Sequence, residues 1–286
     1  MNTLRPRKHD LEFFITDKIE ISSFRDDIAS MEHPFFALKG GDTRIREYHN
    51  GNTTVIIKPT ADGLATIFDK DVWIYVISKL QESININQEI SKTVCFTPYD
   101  FFITTNRTIS GRTYQELEKA LDRLRGTTIK TNIFYSKKKQ EIIGFGLIDS
   151  WQILEEKKGR LDIGMVKVTL PNWLYQALYK NKMLKISPDY FRIRKAIDRR
   201  IYEIARKHCG VQSEFSIALD KLHLKTGSTS LLKMFRYNIK KLAKNNDLPD
   251  YTIRYNSTED MVIFDNRNSN FKLESKIKKH IKTIVK

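Results

Sequence analysis

The order of helical and strand patterns constrains the fold of this 286-residue chain more than any single motif, because the same order occurs twice. In the first copy, helical spacing of apolar residues covers Ala65–Leu80, a proline opens a short helix over Pro98–Thr105, and Ser110 caps a third helix that closes at Gly126. Alternating strand patterns follow over Thr127–Leu170. Three helices followed by β-hairpins is the order of a winged helix, whose third helix can enter a DNA groove.

The second copy occupies the C-terminal half of the chain. Its predicted elements are, in chain order, helices over Ile193–His208, Phe215–Leu224 and Leu231–Lys244, the last capped by Gly227–Ser230, and a hairpin over Tyr251–Phe264. The predicted fold class is therefore α+β, with two winged-helix domains in tandem.

A β-hairpin is predicted ahead of both copies. Asn50 and Gly51 accept the positive φ angles of a type I′ turn, and the β-branched run Thr53–Lys58 suits a strand. We therefore expect an N-terminal β extension rather than a disordered tail. The predicted boundaries are 1–60 for this extension, 61–175 and 176–265 for the two winged-helix domains, and 266–286 for a basic C-terminal tail.

The positive charge lies almost entirely in the second half of the sequence. The chain has a formal net charge of +16. From Trp151 onward, 29 Lys and Arg face 14 Asp and Glu, whereas the first 150 residues hold 21 against 20. Such an excess attracts polyanions, so nucleic acid is the expected partner, although a merely soluble basic protein shares this composition.

The third helix of the second copy has an apolar and a cationic side. With Phe235 at the centre of the buried face, Leu231, Leu232, Ile239 and Leu242 fall beside it. The other side carries cations and no carboxylate, unlike a routine solvated face with its i,i+4 ion pairs. The residues predicted to bind DNA here are Ser228, Ser230, Lys233, Arg236, Tyr237, Lys240, Lys241 and Lys244, with Arg254 on the following hairpin. Lysines suit phosphates, whereas Ser230, Arg236, Tyr237 and Asn238 suit base edges.

The corresponding helix of the first copy is mixed in sign. Arg112, Gln115 and Lys119 are its candidate DNA contacts, but Glu116, Glu118 and Asp122 share its surface. Tyr114 is expected on its inner face. This domain is either the weaker DNA reader or partly a protein-contact module. A hairpin tip with Lys137, Lys138 and Lys139 is a candidate backbone contact, with a solvated tip as the alternative.

No constellation of residues points to an enzyme. The sequence has no phosphate-binding glycine loop followed by lysine and no paired histidines beside a tyrosine, so neither a cofactor nor a metal is expected. The two cysteines are too few for a disulfide framework, and no apolar run is long enough for a membrane span or a signal peptide, so a cytoplasmic protein is expected. Arg199 and Arg200 are expected to pair within their own helix, and His208 to cap its carbonyls.

Seven short runs, taken in their joint order, resemble the replication initiator A family of bacterial plasmids and phages. They are His33–Phe36, Ala65–Lys70, Thr104–Arg107, Leu124–Thr127, Gly144–Asp149, Ala205–Gly210 and Lys225–Ser228. The resemblance implies tandem winged helices that bind repeated duplex sequences, called iterons, at a plasmid origin and open the neighbouring duplex. It also implies recruitment of host helicase-loading machinery and, in many members, dimers that repress their own promoter.

Three alternatives stay open at the level of sequence. A transcription regulator without a replication role would use the same two domains. A single-stranded nucleic-acid binder would need exposed stacking aromatics, whereas most Phe and Trp residues here lie on apolar faces. An origin-nicking enzyme would form a covalent tyrosine adduct with DNA.

Overall fold

The computed structural model describes residues 14–132, 142–158, 161–180 and 182–267. Over these residues the chain is a mixed α+β protein. The strands are β1 Phe14–Ile15, β2 Arg25–Asp27, β3 Arg46–Asn50, β4 Thr53–Lys58, β5 Thr93–Phe96, β6 Thr128–Thr131, β7 Ile143–Gly146, β8 Ser150–Lys158, β9 Leu161–Thr169, β10 Met183–Lys185, β11 Glu214–Ala218, β12 Tyr251–Asn256 and β13 Met261–Asn266. The helices are α1 Ile28–Glu32, α2 Asp71–Asn85, α3 Pro98–Thr104, α4 Gly111–Gly126, α5 Asn172–Tyr179, α6 Ala196–His208, α7 Leu219–Thr226 and α8 Leu232–Asn245, with a 3₁₀ turn at Pro188–Arg192.

The first half of the chain contains two four-stranded sheets. One has the order β1-β5-β9-β8, in which β5, β9 and β8 are antiparallel and β1 adds in parallel at the edge. The other has the order β3-β4-β6-β7 and begins with the predicted hairpin, whose Gly51 has φ +58°. The N-terminal segment thus supplies strands to sheets that are completed more than 40 residues later.

The second half has one three-stranded antiparallel sheet, in the order β11-β13-β12. This order matches β5-β9-β8 of the first half. In each half, the strand that follows a long helix (β5 after α2, β11 after α6) pairs with the second strand of the later hairpin (β9 and β13). A two-stranded sheet of β2 and β10 lies between the halves.

Each half has its own hydrophobic core. In the first half, Trp73 of α2 is fully buried and donates its indole N–H to the Leu147 carbonyl at 2.8 Å. In the second half, Tyr202 of α6 and Phe235 of α8 lie in a separate cluster. Met31 and Ile74 come from the first part of the chain but pack in this second core, so the two cores meet along α1 and α2.

Several predicted elements differ from the structure. The helix expected over Ala65–Leu80 begins only at Asp71. The helix expected over Phe215–Leu224 is half wrong, since Glu214–Ala218 is strand β11. The elements α1, α5, β2 and β10 were not predicted at all. The tail beyond Arg267 and the lysines at 137–139 lie outside the described residues.

Candidate nucleic-acid interface

Helix α8 is held by an apolar stripe on one side. Phe235, Ile239 and Leu242 are buried, and the ring of His223 on α7 lies 4.8 Å from that of Phe235. The helix ends at Asn246, whose φ of +56° is the left-handed conformation common after a helix. The N-cap position belongs to Leu231, so the expected capping by Ser230 is wrong. Instead, the Ser228 and Ser230 hydroxyls lie 2.9 Å apart in the preceding turn.

The opposite side of α8 is a lysine face, defined by Lys233, Lys240, Lys241 and Lys244. All four side chains are exposed. The helix contains no Asp or Glu, and over the described ranges no ion pair involves these four lysines. Lys240 Nζ lies 5.2 Å from the centre of the Tyr255 ring on β12, so the lysine face borders the hairpin. Four exposed ammonium groups along one helix create a local positive potential suited to phosphates.

Apolar and aromatic side chains share the exposed side of α8. Leu231 is 78% exposed, Met234 is 52% exposed and Tyr237 is 59% exposed. The expected burial of Leu231 is wrong because this residue precedes the helix, with φ −60° and ψ 145°, so the helical wheel does not apply to it. Sequence reasoning missed Met234, which a wheel places between the lysine face and Asn238.

Two of the three arginines predicted to bind DNA, Arg236 and Arg254, are already engaged by carboxylates. Arg236 donates to Asp260 from Nε at 3.2 Å and from Nη2 at 2.8 Å, which ties α8 to the turn between β12 and β13. Arg254 on β12 donates to Asp265 at 2.7 Å and to Glu214 at 2.7 Å. The hydrogen bonds to Asp260 raise the pKa of Arg236. Both guanidinium groups would therefore have to leave a carboxylate partner before they could bind a phosphate or a base.

Helix α4 presents its predicted contacts to solvent. Ser110 caps it by accepting from the Thr113 amide, and Leu117, Leu121 and Leu124 are buried. Its exposed charged and amide residues are Arg112, Gln115, Glu116, Glu118, Lys119, Asp122 and Arg125. The surface is therefore mixed in sign, as expected. Tyr114, expected inside, is 43% exposed and contacts Phe102 edge-on.

The turn before α8 is fastened to the first half of the chain. Gly227 has φ +69°, and a Cβ there would lie 2.7 Å from Pro34 Cβ and 3.0 Å from the Tyr48 hydroxyl. Arg46 donates to the Gly227 carbonyl at 3.3 Å, and Arg200 of α6 donates to the Lys225 carbonyl at 2.9 Å. The position of α8 thus depends on residues of the N-terminal hairpin.

A buried ionic network joins α6 to α2 and β2. Lys70 Nζ lies 2.7 Å from Asp26 and 2.9 Å from Glu203, and all three side chains are shielded from solvent. Burial raises the pKa of Asp26 to about 7 even beside this ammonium. Burial acts to raise the pKa of Glu203 as well, but Lys70 and Arg200 outweigh it and lower that pKa.

Two expectations about α6 are corrected by this network. Arg200 does pair with Glu203 within the helix at 2.9 Å, but Arg199 instead pairs with Asp71 of α2 at 2.6 Å. His208 does not cap carbonyls, since its Nε2 lies 3.0 Å from the Glu32 carboxylate. Lys225 also pairs with Glu32, so this carboxylate links α1 to both α6 and α7.

Two kinds of feature are absent from the residues that the structure describes. No group of three His, Cys, Asp or Glu side chains there is arranged to hold a metal ion. Among the same residues, no helix is long and apolar enough to cross a membrane. Cys95 and Cys209 are both buried free thiols.

Comparison with known proteins identifies the family. The chain is 65% identical over 265 residues to a "Putative replication protein" of Wigglesworthia glossinidia brevipalpis, covering 92% of this chain and 96% of the relative. Crystal structures of domains 2 and 3 of RctB share the fold, with TM-scores of 0.57 and 0.56 at 9% and 10% identity. The similar region covers 78% and 86% of this chain and 90% and 99% of those structures. Residues 25–253 match the family described as Replication initiator protein A, and the chain therefore belongs to that family.

Proposed function

We propose that this protein initiates plasmid replication by binding repeated double-stranded sequences at an origin, with α8 as its main DNA-reading element. The observation that carries the proposal is the lysine face of α8, which is exposed and free of carboxylates. Membership of an initiator family supplies the replication role, and the lysine face supplies a physical means of holding DNA.

We propose that both halves are winged helices, within the boundaries 61–175 and 176–265. In the second half, α6, β11, α7 and α8 precede the β12–β13 hairpin, and in the first half α2, β5, α3 and α4 precede the β8–β9 hairpin. The shared strand orders β5-β9-β8 and β11-β13-β12 support this assignment. A recognition helix in such a domain lies in the major groove while the hairpin contacts the backbone.

The proposed mechanism is noncatalytic and begins with counterion release. Lysines displace ions condensed on the phosphates, and about eight such contacts would lower affinity by roughly three to five orders of magnitude between 50 and 200 mM salt. Binding several adjacent repeats then bends and strains an A·T-rich neighbour, which sequence-dependent DNA stiffness permits. Opening of the duplex thus follows from assembly on DNA in the cytoplasm.

The first half is proposed to have two roles. Its α4 residues Arg112, Gln115 and Lys119 supply weaker DNA contacts, and the rest of its balanced surface contacts protein. Homodimerisation and recruitment of the host helicase-loading machinery are the protein contacts that we assign to this surface. The acidic residues of α4 favour this division, because they repel a close phosphate.

A gel-shift titration with duplex DNA from around the gene tests the proposal. The fragment should carry direct repeats of about 20 base pairs, two helical turns, and a shuffled duplex serves as the nonspecific reference. Lys240→Glu with Lys244→Glu should abolish repeat binding without unfolding the protein, since both side chains are exposed.

The matched control is Lys180→Glu with Lys182→Glu, which makes the same charge change at exposed positions outside α8. If both double variants lose the same amount of repeat affinity, the loss reflects the change in net charge alone, and the role of α8 is overturned. If the protein binds the repeats but a plasmid that carries them is maintained equally well with and without the gene, the protein is a transcription regulator instead.

A further inference from the structure

The exposed side of α8 carries apolar groups among its cations. Met234, Tyr237 and Lys241 follow one another at spacings of three and four residues along α8, and the exposed Leu231 immediately precedes the helix. Lys233, Lys240 and Lys244 lie to one side of this row. Exposed apolar groups surrounded by polar ones mark interaction sites more often than solvated surface does.

The position of these apolar groups matches that of base-reading residues. Recognition helices contact base edges with their N-terminal residues. Leu231 and Met234 stand at the N-terminal end of α8, whereas Lys240, Lys241 and Lys244 stand toward its C-terminal end.

The chemistry of the major groove offers one apolar group to such residues. Each thymine carries a C5-methyl group there, and the other major-groove atoms that distinguish the bases are hydrogen-bond donors or acceptors. Leu and Met side chains have no donor and, apart from the weak thioether sulfur, no acceptor, so they gain little from those polar edges. Arg236, a residue suited to guanine, is held by Asp260 instead.

We infer that Leu231 and Met234 read thymine methyl groups, so that the preferred repeats contain thymines at one or two fixed positions under the start of α8. This inference rests on the proposed function and adds a sequence preference to it. Tyr237 and the lysine face then set the depth and register of the helix against the phosphates.

Deoxyuridine tests the inference, because it differs from thymidine only by the missing methyl group. The full chain is used to select binding duplexes from a random pool, and each thymine of the selected site is then replaced singly by deoxyuridine. One or two replacements should weaken binding about fourfold, the value expected for one methyl-sized apolar group left in water. The remaining replacements should change affinity by less than about twofold.

Variants connect the effect to the two side chains. In Met234→Ala, the ratio of the affinity for the thymidine duplex to that for the deoxyuridine duplex should fall to about one at one thymine position. In Leu231→Ala, the same ratio should fall to about one at the neighbouring position. Lys240→Ala should weaken both duplexes equally. Ile86→Ala, at an equally exposed apolar residue in the first half, should leave affinity and ratio unchanged.

The outcomes separate this inference from the proposed function. Selection of a site that binds thymidine and deoxyuridine duplexes equally would overturn methyl reading and assign the apolar residues to a protein contact, while duplex recognition would stand. Failure to select any duplex would overturn the proposed function, and the inference with it.

Discussion

The Arg199 guanidinium of α6 lies 2.6 Å from the Asp71 carboxylate at the first residue of α2, so one buried ion pair joins the two halves of the chain. The same carboxylate accepts from Arg107 at 2.8 Å, and the Arg199 guanidinium stacks 4.5 Å from the Phe68 ring. Removing Arg199 breaks this buried pair and leaves the Asp71 carboxylate with Arg107 as its remaining ion-pair partner, and breaking a buried pair from one side is destabilising.

Arg199→Ala should therefore lower the free energy of unfolding by up to about 3 kcal/mol, the lower end for a broken buried pair, because Arg107 still partly compensates Asp71; urea denaturation measures this. Arg192→Ala is the matched control, because the pair between Arg192 and Asp189 is exposed and should contribute at most about 1 kcal/mol. Equal losses in the two variants would mean that the Arg199 pair is not effectively buried.

Gly227→Ala should move the turn that precedes α8. The new Cβ meets Pro34 and Tyr48 within 3.0 Å, in addition to the roughly 1–2 kcal/mol cost of a left-handed alanine. Gly41→Ala is an unusually close control, since Gly41 has φ +70° with open space around it. We expect Gly227→Ala to lose both more stability and more duplex affinity than Gly41→Ala. If the two variants have equal stability and equal DNA affinity, the turn accommodates the added methyl group without moving α8.

Local signals in the sequence were sufficient for much of the fold. Ser110 and Gly126 mark the ends of α4, and Asn50-Gly51 marks the first hairpin, because capping and turn preferences act within a few residues. The start of α2 was misplaced for a tertiary reason. The Ala65 amide donates to the Thr127 hydroxyl, and Lys70 pairs with Glu203, which lies 133 residues away in the sequence. No local pattern carries that information.

The candidate site was predictable in part. A helical wheel suffices to place Lys240 and Lys244 opposite Phe235, because both sides of α8 obey helical spacing. The wheel fails where the backbone is not helical, at Leu231. It also has no means of showing that Arg236 is held by Asp260, since that carboxylate lies 24 residues away on another element.

Asp260→Asn should strengthen duplex binding. The change keeps a residue type that tolerates φ +51°, removes a negative charge beside α8 and replaces the ion pair with Arg236 by at most a weaker neutral hydrogen bond. If Arg236 then contacts a phosphate, the slope of log affinity against log salt should steepen by about 0.9. Titrations between 50 and 200 mM salt measure this, with Glu259→Gln on the same turn as the control. A slope shared by Asp260→Asn and wild type would show that Arg236 does not reach DNA.

Acidification should destabilise the protein through His33, which lies between α1 and the first core. Burial lowers the pKa of His33 to about 4, with Lys225, Arg200 and Lys207 acting in the same direction and Glu32 opposing them. Between about pH 4 and pH 6.5 the unfolded chain therefore binds a proton here that the folded chain excludes, so the contribution of His33 to the free energy of unfolding rises with pH in this window, while the raised pKa of Asp26 acts in the opposite direction. The pKa of Glu32 is lowered in the folded chain, so the contribution of its ionised carboxylate to folding stability is lost only as pH falls below about 4.5.

The two groups are separated by measuring urea denaturation at pH 7.5 and pH 5.5. His33→Gln should reduce the difference in unfolding free energy between these two pH values by about 1 kcal/mol, because a glutamine takes up no proton. Glu32→Gln should lower stability at both pH values by a similar amount, since Glu32 stays ionised throughout this range. If His33→Gln keeps the full wild-type pH dependence, the proton is taken up elsewhere. The junction between α1 and the first core would then have no part in acid sensitivity.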